Sequence, residues 1–131
     1  MSALTILALL RALMDLPEPQ LATGGIATDA DEGVLEQAAR NRQLAPCAEC
    51  IGMVALLEPQ RVGQRVWLQR VGQAPEGPFQ VVDCAGHGLP FERWLVDVDY
   101  RTARRWAMKA PVFVSLWLEE RYGASGPRFE G

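Results

Sequence analysis

The chain predicts a mainly β protein, a small barrel with one or two helices at its N-terminal side and a short helix after Asp99. Three observations carry this reading. Short apolar runs bounded by glycine or proline follow one another from Ile51 onward. In the last of them Val112, Val114, Leu116 and Leu118 fall on one face at period two. A length of 131 residues with 49% hydrophobic content suits a single domain with a real core.

Residues 3–14 (ALTILALLRALM) form an apolar run that reads as a helix apolar on almost every side, which must be covered by the domain or by a partner. The run falls short of the ~20 residues a membrane span needs and contains Arg11. It lacks the positive start and small-residue cleavage site of a clean signal peptide. Pro17 and Pro19 stop it, and Ala22, Thr23, Gly24 and Gly25 read as a linker. A second helix is expected over 31–42, with Asp29 and Glu32 as a capping-box-like start and Val34, Leu35, Ala38 and Ala39 on one side. Its polar residues Glu36, Arg40 and Arg42 read as a solvated surface. Strands are then expected over 53–57, 65–70, 79–82, 94–98 and 112–118, and a helix capped by Asp99 through Tyr100, Ala103 and Trp106. The tail beyond Tyr122 reads as loose, and no internal repeat is visible. The expected organisation is therefore an apolar helix and linker over 1–23, a barrel domain over 24–122 and a tail over 123–131.

Sixteen acidic residues against thirteen basic ones give a net charge of -3, the opposite of a nucleic-acid footprint. The densest polar chemistry lies in 77–106, where Asp83, Cys84, His87, Asp97 and Asp99 surround two apolar runs, and His87 is the single histidine. Cys47 and Cys50 form a C-x2-C pair and Cys84 with His87 a C-x2-H pair, four ligands at a spacing that zinc accepts. A disulfide from Cys84 to Cys47 or Cys50 and free buried thiols are the competing readings. No cofactor is required by the chain as a whole, and zinc is the one that the Cys/His set would take. Redox catalysis by Cys47-Ala-Glu-Cys50 is disfavoured because no thioredoxin-like βαβ pattern surrounds it.

The order of these pieces resembles the double-psi β-barrel domains of the rare lipoprotein A, expansin and barwin group. The resemblance covers about 24–118 and rests on Arg61-Val62-Gly63 as a glycine turn, Val81-Val82-Asp83 at a strand end, and Val96-Asp97-Val98-Asp99 followed by Ala103 and Trp106. It implies a six-stranded double-psi barrel that interacts with polysaccharide or peptidoglycan, with a weak or degenerate lytic-transglycosylase-like cleavage as its activity. Asp97 matches the group's acid or base, and Asp83 supplies a second carboxylate. Trp94 and His87 are the candidate substrate-binding residues, whereas Trp67 and Trp106 read as core. The chain departs from the group near Leu57, which is apolar where the bacterial members carry a histidine.

Two other classes stay open on the sequence. One is a non-catalytic assembly subunit of an extracellular or virion structure, making protein contacts or self-associating through the N-terminal helix. The other is a zinc-stabilised interaction domain. Expected partners are thus a glycan or cell-wall polymer, or protein, with an extracellular, envelope or virion location favoured over a cytoplasmic one.

Overall fold

The computed structural model describes residues 22–85 and 93–119. The expected N-terminal helix over 3–14, His87 and the tail beyond 122 lie outside the described residues. Six strands close into a barrel: β1 (Thr23–Asp29), β2 (Gly52–Leu56), β3 (Arg65–Arg70), β4 (Glu76–Cys84), β5 (Trp94–Val98) and β6 (Val112–Leu118). Helix α1 (Val34–Asn41) joins β1 to β2, a 3₁₀ turn (Pro59–Arg61) precedes β3, and helix α2 (Tyr100–Arg105) joins β5 to β6. The mainly β class and the barrel follow the sequence reading.

Around the ring the order is β1-β5-β2-β4-β3-β6. The β1/β5 and β2/β4 pairs are parallel and the other four are antiparallel. Exchanging β1, β2 and β3 for β4, β5 and β6 leaves this ring, with its parallel and antiparallel pairings, unchanged. Alternate residues point inward, so Ala27, Val54, Val66, Leu68, Phe79, Val81, Val96, Val98 and Val114 fill the barrel with no exposed surface. Trp106 is buried against this core from α2, as expected, with its indole N–H donated to Glu76 at 2.7 Å. On the outer face Leu35 of α1 packs with Ala30, Ala55 and Val82 in a second apolar cluster.

Two local expectations need correction. The stretch read as a linker is β1, whose TGGIATD sequence has too few apolar residues to announce a strand. It forms because β5 and β6 supply its ladders on both sides. Helix α1 starts at Val34 rather than 31, because Gly33 sits at φ 80° and breaks the helical path. No side-chain cap forms there, and Val34 stays 48% exposed while Leu35 makes the contact. The glycine turn read at 61–63 is a turn in the structure: it continues the 3₁₀ turn, and Gly63 at φ 93° donates its N–H to the carbonyl of Val81.

Candidate functional site

One row of residues crosses the outer face from β1 to β4: Thr28, Asp97, Ala55 and Asp83 are paired in turn. Two bulges create this row. In β1/β5 the register passes from Ile26 opposite Trp94 to Ala27 opposite Val96, so Leu95 is an extra residue. Trp94 and Asp97 are an odd number of residues apart and would face opposite sides of a regular strand, but the bulge brings them to the same side. In β2/β4 the register passes from Val54 opposite Val81 to Ala55 opposite Asp83, so Val82 is extra. Without it Asp83 would share a face with Leu56 and point into the core; with it, the carboxylate stands on the outer row.

The side chains are tied along this row. The indole N–H of Trp94 donates to Thr28 Oγ1 at 2.8 Å, and the Thr28 hydroxyl donates to Asp97 Oδ1 at 2.9 Å. Burial raises the Asp97 carboxyl above its ordinary value of 3.8, the Thr28 hydrogen bond opposes this, and the negative charges of Asp29, Asp31 and Asp83 add to the rise. The net effect favours the protonated form of Asp97.

Asp83 lies two strands away, roughly 10 Å between Cα atoms from the ordinary strand spacing. Its Oδ1 accepts the Arg42 guanidinium and the Cys84 backbone N–H, both at 2.9 Å. Arg42, read from sequence as surface, thus fixes Asp83 from the end of α1, and the hydrogen bond to Asp83 raises the guanidinium pKa. Thr28 was not a sequence candidate because its strand was missed. Arg42 gives no local signal, since its partner is 41 residues away.

Trp94 also borders a small apolar hollow of about 150 Å³ with Leu57, Leu95 and Leu118. It is the tryptophan adjoining Asp97. Asp99 occupies the N-cap position of α2 as expected, but no side-chain cap bond forms. Its N–H donates to the Met53 carbonyl at 3.1 Å, its carbonyl accepts Ala103 N–H at 3.0 Å, and its side chain is 4% exposed.

The cysteines take an arrangement that none of the three readings gave in full. Cys47 and Cys50 are bonded to each other, and Cys84 is a free, part-buried thiol 3.6 Å from Arg42 Nη2. The expected pairing of Cys84 with either is excluded by the run of β4. Ala45 is fixed to Gln80 through its carbonyl and Ile51 to the Pro78 carbonyl, so the loop meets the opposite end of β4 from Cys84. Four residues of strand from Gln80 to Cys84 cover about 13 Å. The C-x2-C half of the proposed zinc set carries no thiolates while this bond stands. Among the described residues no group of three or more His, Cys, Asp or Glu is placed to hold a metal ion.

A larger cleft of about 460 Å³ opens beside α1, with Cys47, Cys50, Gln80, Asp99, Arg40 and Arg101 among its walls. The disulfide there closes a ring of only a few residues, a constraint worth about 2 kcal/mol in the chain-entropy account against about 4 for the loop to Cys84.

The class these features define is a closed six-stranded mixed barrel carrying two short helices, compatible with the double-psi arrangement. No family model, curated protein or solved structure matches the chain. Among the described residues no helix is long and apolar enough to cross a membrane.

Proposed function

We propose that this protein is a double-psi barrel of the polysaccharide-interacting kind, which binds peptidoglycan or a related β-linked glycan and transfers a proton to it from Asp97. The observation that carries the reading is the Trp94–Thr28–Asp97 chain, which joins an aromatic surface to a carboxyl of raised pKa. General-acid cleavage of a glycosidic bond needs a protonated carboxyl beside the leaving oxygen. Thr28 orients Asp97 by donating to one oxygen, so the other is the one to carry the proton.

Where the sugar's own hydroxyl is the nucleophile, a single acid/base group suffices. Asp83, held by Arg42, then acts on Asp97 through its charge rather than as a partner in proton transfer. The separation of the two strands that carry them argues against the close pair of a retaining enzyme, whose carboxyls stand ~5 Å apart. The Cys47–Cys50 bond supports an oxidising location such as the cell exterior or envelope.

Sedimentation with purified sacculi and with insoluble β-linked glycans tests the binding half. Wild type is expected in the pellet, Trp94→Phe partly so and Trp94→Ala in the supernatant. Wild type remaining soluble with every glycan would remove the reading.

A further inference from the structure

Cys47 and Cys50 bracket the Ala48–Glu49 turn, both are part-exposed, and both line the largest of the clefts described. The turn is tied by one backbone bond, Cys50 N–H to the Cys47 carbonyl at 3.2 Å, and the loop is held to the barrel independently by Gln80 and Pro78. A cross-link between residues already adjacent in a turn constrains the chain about half as much as the loop to Cys84 would, while the third cysteine is left out of any bridge. The buried carboxylate of Asp99 and the guanidinium-bearing Arg40 and Arg101 stand in the same cleft wall, and Asp99 Oδ1 has no hydrogen-bond partner among the described residues. These features belong to a disulfide presented to a ligand space.

Although the pair lies in a barrel loop and not in a thioredoxin-like βαβ unit, we propose that Cys47–Cys50 is an exchange-active disulfide that accepts two electrons from a thiol compound entering this cleft. A thiolate of the entering compound attacks one of the two sulfurs, the Cys47–Cys50 bond breaks, and a mixed disulfide forms while the other cysteine leaves as a thiolate. A second thiol attacks the mixed disulfide, releasing the compound as its own disulfide. The two protons given up by the thiols end on Cys47 and Cys50. The step is independent of Asp97 and of any glycan.

The thiol could belong to a small molecule or to a cysteine in a peptide, and the test separates them. Oxidised full-length protein carrying Cys84→Ser is incubated under native conditions with millimolar reduced glutathione or with a cysteine-containing hexapeptide, quenched with acid, alkylated and weighed by mass spectrometry. Both cysteines are expected to become alkylated at least about tenfold faster than the barrel unfolds, since a part-exposed disulfide is open to attack in the folded state. In Cys84→Ser backgrounds carrying Cys47→Ser or Cys50→Ser, oxidised glutathione is expected to leave an adduct on the remaining cysteine. Faster reaction with the hexapeptide than with glutathione would assign the thiol to a peptide, and the reverse order to a small molecule. A bond that resists both thiols until denaturant unfolds the barrel would overturn the proposal and leave a staple.

Discussion

At the residue scale the proposed chemistry turns on Asp97 and Thr28. A carboxyl whose pKa is higher in the fold than in the unfolded chain binds its proton more tightly when folded. Its contribution is fully present below the ordinary value of 3.8 and is lost as pH rises through the raised folded value. The urea midpoint of the wild type is therefore expected to fall across that window, and Asp97→Asn, which keeps an acceptor for Thr28, is expected to remove that part of the slope. An unchanged slope in the variant would mean that Asp97 is not the group titrating. Thr28→Val removes the hydrogen bond that favours the charged carboxylate, so an NMR titration of Asp97 is expected to move further upward. A downward move would contradict the assigned role of the hydroxyl. Asp97 and Trp94 could be picked out from sequence because they sit in an apolar strand. Thr28 and Arg42 could not, because their roles come from partners 69 and 41 residues away.

At the scale of the elements, both helices end in the same way. Gln43 and Ala107 take left-handed φ of 54°, and the N–H groups of Gln43 and Leu44, then of Ala107 and Met108, close back on the preceding turn. This is a glycine's position in most helix ends. Ala107→Gly is expected to raise stability by up to about 1 kcal/mol, a rise of several degrees in Tm, since the strain of a left-handed alanine outweighs the added freedom of glycine. A fall in Tm would show that the neighbouring Met108 and Trp106 packing depends on the alanine. At the other extreme, a Cβ added to Gly25 would meet the Arg93 carbonyl oxygen and Leu95 Cβ at 2.7 Å. Gly25→Ala is expected to cost about 1–3 kcal/mol in chemical denaturation as β1 is pushed from β5.

These contacts also explain what was legible. β3, β5 and β6 match their apolar runs residue for residue, since a strand that fills a barrel must alternate inward aliphatics. β1 carries Gly25, which lets Arg93 and Leu95 approach, and Gly24, which lies against Phe113 of β6, so its form is set by its neighbours rather than by its own composition. The two bulges are invisible in sequence for the same reason: an extra residue exists only relative to a partner strand.

At the scale of the molecule, the barrel ring is unchanged when its first three strands are exchanged for its last three, although the sequence shows no repeat. Closure needs alternation and register, which many residue choices satisfy, so the topology can be twofold without leaving a repeated motif. The halves differ in what they carry. α1 follows β1 and covers the outer face through Leu35, while β5 carries the Trp94–Asp97 surface. The packing of α1 is what brings Arg42 to Asp83. Leu35→Ala is expected to cost about 2–5 kcal/mol and to loosen that ion pair, read as faster amide exchange at Cys84, whose N–H is held by Asp83. Exchange unchanged at Cys84 in a destabilised variant would uncouple the helix from the row.

Under the proposed function, the outer row of this barrel acts as an acid on a glycan through Asp97. Release of soluble fragments from purified sacculi, compared for wild type and Asp97→Asn at matched folding, tests it most directly. Release by the wild type is expected, with a loss of about 10²–10⁴-fold in the variant, the range carried by a positioned general acid. Equal release by the two proteins, or none by either, would contradict it.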